Sequence, residues 1–141
     1  MRKEGTILIV DDEEDIRLSL RLYLKQFFTQ VLTEHNPNLI PRLMRQHKPD
    51  VILLDMNFRK GDTSGKEGMR WLDKIIELNP QANVIMVTAF GDVNVAVDAL
   101  KNGAADFVEK PWRNERLLAT INSVFKLSQT KPSHKSIVTS Y

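Results

Sequence analysis

The sequence predicts an α/β domain in which a parallel sheet is covered by helices on both faces. Five short apolar runs rich in β-branched residues alternate with five segments of helical spacing. The three strongest runs are apolar at consecutive positions, the pattern of strands buried on both sides. Parallel strands need helical crossovers, which the intervening segments supply. At 141 residues the chain is one domain's worth and can bury a core without staples.

Thr6-Ile7-Leu8-Ile9-Val10 is the first strand, ended abruptly by Asp11-Asp12, and Ile16, Leu20, Tyr23, Leu24 and Phe27 then recur at helical spacing. A weaker strand is expected over Gln30–Thr33. The second helix carries Leu39, Leu43 and Met44; Pro37 and Pro41 fall at its start, so Pro41 fits only in the first turn, where its missing N–H costs nothing. Val51-Ile52-Leu53-Leu54 forms the third strand and stops at Asp55, and Met69, Leu72, Ile75 and Ile76 mark the third helix. Val84-Ile85-Met86-Val87 ends at Thr88. Val93, Val97 and Leu100 define a fourth helix, with Gly103 where a left-handed cap is wanted. Asp106–Val108 is a short last strand, followed by a helix through Leu117, Leu118, Ile121 and Phe125. Pro49 and Pro80 halt the chain ahead of the third and fourth strands. From Ser128 the composition becomes that of a linker, so residues 1–128 are expected to be the domain and 129–141 a flexible tail or the start of a linker to an output domain.

Composition removes several classes of function. Without cysteine there is no disulfide framework, thiolate zinc site or Cys nucleophile. No apolar run approaches the ~20 residues that span a bilayer, and no signal-peptide core follows Met1, so a cytoplasmic location is expected and no membrane contact. The net charge of +2 comes from Lys131 and Lys135; before them bases and acids balance and alternate. A nucleic-acid binder gathers its bases on one face, and direct DNA binding is not expected here. His35, His47 and His134 lack ligand-like spacing, and Trp71 and Trp112 read as packing residues.

In open α/β sheets ligands bind beyond the carboxyl ends of the strands. Those ends carry Asp11 and Asp12, Asp55, Thr88 and Lys110. Singly, each has an ordinary reading: an N-cap, a turn, a strand terminus, a surface lysine. Jointly they place three carboxylates, a hydroxyl and an ammonium on one edge. Crowded carboxylates repel unless a cation joins them, and a hard oxygen-loving ion such as Mg²⁺ fits. With that ion, Asp55 would be a nucleophile forming an acyl phosphate, while Lys110 and Thr88 hold phosphoryl oxygens.

The motifs Ile9-Val10-Asp11-Asp12-Glu13, Leu53-Leu54-Asp55, Val87-Thr88-Ala89 and Phe107-Val108-Glu109-Lys110-Pro111 make the chain resemble the receiver domain of two-component response regulators over about Thr6 to Leu127. The resemblance implies a flavodoxin-like fold with strand order 2-1-3-4-5. It implies Asp55 as phosphoacceptor, Mg²⁺ held by Asp11, Asp12, Asp55 and the backbone carbonyl of Asn57, and Lys110 on the phosphoryl group beside a cis peptide to Pro111. Thr88 and the aromatic at Phe107 would form the switch; lacking a hydroxyl, Phe107 would report by burial and favour its inward state. Asn57 and Ala89 would tune water access, giving self-dephosphorylation over minutes rather than days. On this reading the chain is not an enzyme beyond its own phosphoryl transfer and autodephosphorylation.

Asp55-Met56-Asn57-Phe58, the long loop Arg59–Lys66, and Gly91-Asp92-Val93 through Lys110-Pro111-Trp112 further resemble receivers of nitrogen-regulation-type activators. The implied partners are a sensor histidine kinase and covalently attached ATPase and DNA-binding domains acting on sigma-54 polymerase. Apolar residues on more than one face of the fourth helix, Val93, Val95, Val97 and Leu100, point to a homodimer through helix four, strand five and helix five. The loop lacks the proline usual in the family, which affects its rigidity and kinase docking. Gly61 to Glu67 imitates a phosphate-binding loop but has the wrong glycine spacing, and Glu67 stands where a Ser or Thr is needed. The competing functions are a phosphate-independent interaction module and a Mg²⁺-dependent aspartyl-phosphate phosphatase. Asp55-Met56-Asn57 lacks the second Asp such a phosphatase uses.

Overall fold

The computed structural model describes residues 2–58 and 64–130. Elements run β1 (Lys3–Val10), α1 (Glu14–Leu24), β2 (Phe28–Glu34), a 3-10 turn (Pro37–Leu39), α2 (Ile40–His47), β3 (Val51–Asp55), α3 (Lys66–Leu78), β4 (Val84–Ala89), α4 (Val93–Lys101), β5 (Asp106–Lys110) and α5 (Asn114–Thr130). All pairings are parallel, in the order β2-β1-β3-β4-β5. The fold class and strand order are those the sequence implied.

Period-two alternation along the strands divides the core in two. Ile7, Ile9, Val51, Leu53, Ile85, Val87 and Val108 face α1 and α5, where Leu20, Leu24, Leu117, Ile121 and Phe125 meet them. Leu8, Val10, Ile52, Leu54, Val84 and Met86 face the other side, against Ile40 of α2, Leu72 and Ile75 of α3 and Ala99 of α4. β1, β3 and β4 are buried on both faces at these positions, which is why their sequences read as unbroken apolar runs. β2 and β5 are the sheet edges, half-exposed and polar in part, so their signals were weak.

Several boundaries differ from the expected ones for identifiable reasons. β3, β4 and β5 continue through Asp55, Thr88 and Lys110, because Asp55 pairs with Val87, Thr88 with Glu109 and Ala89 with Lys110. The helical run ends at Leu24; Phe27 lies in the following turn, yet it packs on the core and meets Tyr23 edge to face at 5.2 Å. Pro41 sits in the first turn of α2, as its ring requires. Gly103 adopts φ +109 at the end of α4, where Ile76 lies 3.3 Å from any added Cβ. α5 runs to Thr130, two residues past the expected domain end at 128, and the tail from 131 lies outside the described residues. Loop residues 59–63, including the first three residues of the glycine-containing segment Gly61 to Glu67, also lie outside them. Trp71 and Trp112 pack against opposite halves of the core. Among the described residues no helix is long and apolar enough to cross a membrane.

Candidate functional site

The order of strands reverses between β1 and β3, and their carboxyl ends open a crevice there. Asp11 leaves β1 directly into that crevice, Asp12 follows it, and Asp55 closes β3. One oxygen from each of these three carboxylates lies within 4.8 Å of the others. Asp11 and Asp55 are buried and Asp12 is exposed, so the cluster has a solvent-facing side. Lys110, at the end of β5, reaches in with Nζ 3.4 Å from Asp11 Oδ2, 3.5 Å from Asp55 Oδ1 and 3.7 Å from Glu13 Oε1. The Lys110–Pro111 peptide is cis.

The electrostatics follow from this crowding. Burial pushes the Asp55 carboxyl up to about 7, with the Asp11 charge adding to the rise and the Lys110 ammonium opposing it. Asp11 is also raised, by burial first, against the Glu13 backbone N–H and Lys110. Burial alone would lower Lys110, but Asp55, Asp11 and Glu13 outweigh it and hold the ammonium charged. One cation does not balance three carboxylates. The donors are all hard oxygens, so a small divalent cation is the species this cluster suits.

Thr88 is 1% exposed and its Oγ1 has no hydrogen-bond partner among the described residues. A buried hydroxyl left unpaired costs about 1–3 kcal/mol, so an incoming acceptor oxygen would relieve it. By strand alternation Thr88 shares a sheet face with Phe107, which is half-buried against the α3-side core. Asn57 donates its backbone N–H to Asp55 Oδ1 at 3.4 Å. The side-chain oxygen of Asn57, a residue expected to tune water access, accepts the Gly65 N–H at 2.8 Å.

Three participants were missed in the sequence. Arg17 Nη1 donates to the Asp11 carbonyl at 2.9 Å, and the Glu13 backbone N–H donates to Asp11 Oδ1 at 2.9 Å, together shaping the β1–α1 turn. Glu109 Oε2 accepts the Gly91 N–H at 3.0 Å and ties the β4–α4 connection to β5. Nothing local in the sequence signals that contact.

Comparison with known proteins agrees with this fold. Residues 7–122 match the family described as the response regulator receiver domain. The chain is 32% identical over 117 residues to the chemotaxis protein CheY of Bacillus subtilis, covering 82% of this chain and 93% of that one. It is 33% identical over 120 residues to the response regulator protein PilR of Pseudomonas aeruginosa, covering 85% of this chain but 26% of PilR. A crystal structure of the N-terminal receiver domain of a response regulator from Bacteroides fragilis superposes with a TM-score of 0.79 at 38% identity, covering 87% of this chain and 98% of that one. Fold and site together define a domain that gathers carboxylates at the switch point of a doubly wound sheet. The chain belongs to the receiver domain family of two-component response regulators.

Proposed function

We propose that this receiver is a phosphoacceptor switch in which a sensor histidine kinase transfers a phosphoryl group to Asp55. The observation that carries the reading is the position of Lys110, 3.5 Å from the Asp55 carboxylate inside a cluster of three acids. In the transfer an Asp55 oxygen attacks the phosphorus of a phosphohistidine. The P–N bond breaks, its electron pair stays on the imidazole, and that nitrogen takes a proton from solvent. Positioning and electrostatics supply most of the catalysis in such a step.

Asp11, Asp12, Asp55 and the Asn57 carbonyl are the groups that would hold Mg²⁺. When bound, the ion supplies positive charge against the phosphoryl oxygens and keeps the buried carboxylates ionised. Lys110 binds a phosphoryl oxygen from the β5 side. Thr88 donates its unpartnered hydroxyl to another, and this pull, with repacking of Phe107, is the switch. The signal leaves through α4, β5 and α5, where Phe90, Val93, Val97 and Leu100 are exposed and offer a surface for a second copy. PilR is about four times as long as its matched segment, which supports an attached output. The nitrogen-regulation-type motifs favour an ATPase and DNA-binding pair acting on sigma-54 polymerase. The cytoplasm, where such a kinase donates, is the compartment this reading requires.

Intact-mass spectrometry after incubation with acetyl phosphate and Mg²⁺ tests the proposal. The expected result is one phosphoryl adduct that disappears in Asp55→Asn and on chelation. No adduct under any condition would overturn the switch and leave a phosphate-independent interaction module.

A further inference from the structure

We infer that the Asn57 side chain and Gly65 form a clamp that transmits cation occupancy of the acidic site to α4 through Val95, by a route separate from Thr88 and Phe107. The inference rests on the reading above that the Asn57 carbonyl faces the ion. Asn57 stands two residues beyond Asp55, and its amide oxygen accepts the Gly65 N–H at 2.8 Å. A second bond, Gly68 N–H to the Met56 carbonyl at 3.0 Å, closes the base of the same connection. The start of α3 is therefore tied to the two residues that follow the proposed phosphoacceptor.

Gly65 is where this tie meets α4. It is buried, has φ +74, and leaves no room for a side chain: an added Cβ would lie 2.8 Å from Val95 Cγ1 and 3.0 Å from Met56 Cε. Val95 thus rests directly on the Gly65 backbone. Beside it, the inward side of α4 carries Ala96 and Ala99, both fully buried, while Val93, Val97 and Leu100 face solvent. Close-packed contacts of this kind pass on a small displacement instead of absorbing it.

The connection into α4 is built to yield. Gly91 has φ +89 with nothing within 4 Å of an added Cβ among the described residues, and its neighbour Phe90 is 81% exposed, so the segment is loosely packed even though the Gly91 N–H is held by Glu109. A pull on the Asn57 carbonyl moves Gly65, Gly65 moves Val95, and α4 follows as a unit. Asn57 acts here as a positioning residue, and Val95 as the far end of the contact.

The experiment is a titration of the protein with Mg²⁺ alone, read by calorimetry for affinity and by amide NMR for residues 97–101 of α4. In the wild type, saturation is expected to shift these amides, and Thr88→Ala is expected to keep the shifts. Val95→Ala should bind Mg²⁺ within about twofold of wild type while the α4 shifts fall to about a third or less. Asn57→Ala, which keeps its backbone carbonyl, should lose the shifts likewise at saturation. Wild-type shifts in either variant, or their loss in Thr88→Ala, would overturn the clamp. A wild type that binds Mg²⁺ with α4 silent sinks the clamp alone; a wild type that binds no Mg²⁺ sinks the cation reading and the clamp with it.

Discussion

The Lys110 ammonium stands 3.5 Å from Asp55 Oδ1, and the backbone holds it there, since the Ala89–Lys110 pairing aligns the end of β5 with the end of β4. The same nitrogen lies 3.4 Å from Asp11 Oδ2, so a single cation spans the two buried acids of the cluster. Replacing it exposes what it offsets. Lys110→Met should slow phosphorylation by acetyl phosphate about 100-fold, the usual cost of deleting one preorganised donor. Removal also leaves the buried carboxylates facing each other. Denaturation of the metal-free protein at pH 8 should find it about 1–2 kcal/mol less stable, a figure kept small because Lys110 is partly solvated.

Metal-free stability should fall as pH rises. The Asp55 carboxyl is raised by burial from 3.8 to about 7, so between those values the folded protein keeps a proton that the unfolded chain has released. That contribution is complete below about 4 and gone above about 7. The upward shift of Asp11 acts in the same direction. In chelator, the urea midpoint should drop from pH 5 to pH 8 by an amount worth roughly 2–4 kcal/mol. Asp55→Asn should remove most of the slope, and a flat wild-type profile would contradict the burial argument.

Gly68 is required by space. A Cβ there would lie 2.5 Å from the Met56 Cα and carbonyl oxygen, which are backbone and cannot step aside. Gly68→Ala should cost about 2–3 kcal/mol in equilibrium denaturation. A loss below about half a kcal/mol would mean that the β3–α3 base relaxes freely.

The exposed apolar face of α4 makes a prediction about assembly. Val97 is 40% exposed and flanked on that face by Val93 and Leu100. At a concentration where the wild type sediments as a dimer, Val97→Lys should remain monomeric, with its melting temperature changed little. A wild type that stays monomeric at high concentration, with and without beryllofluoride and Mg²⁺, would remove the dimer from the account.

Much of the fold was readable along the chain because the central strands are buried on both faces. Ile7–Val10, Ile52–Leu54 and Val84–Val87 had to be apolar throughout, and the polar residue that ended each run was the one delivered to the site. The edge strands were fainter because water satisfies part of their surface. β1 begins at Lys3 and β5 extends to Lys110 through backbone pairing, which leaves little trace in side-chain pattern.

By itself the sequence determined the alternation of strands and helices and the chemical kinds of group at the strand ends, because both are local properties of composition and spacing. Only the tertiary structure decided that Asp11, Asp12 and Asp55 come within 4.8 Å, that Lys110 lies between two of them, and that the Asn57 amide holds Gly65. Burial and Coulomb interaction depend on distance through space. The pairs that set them are joined by sheet register and by the crossovers that bring distant strands side by side, and no local stretch of chain records those distances.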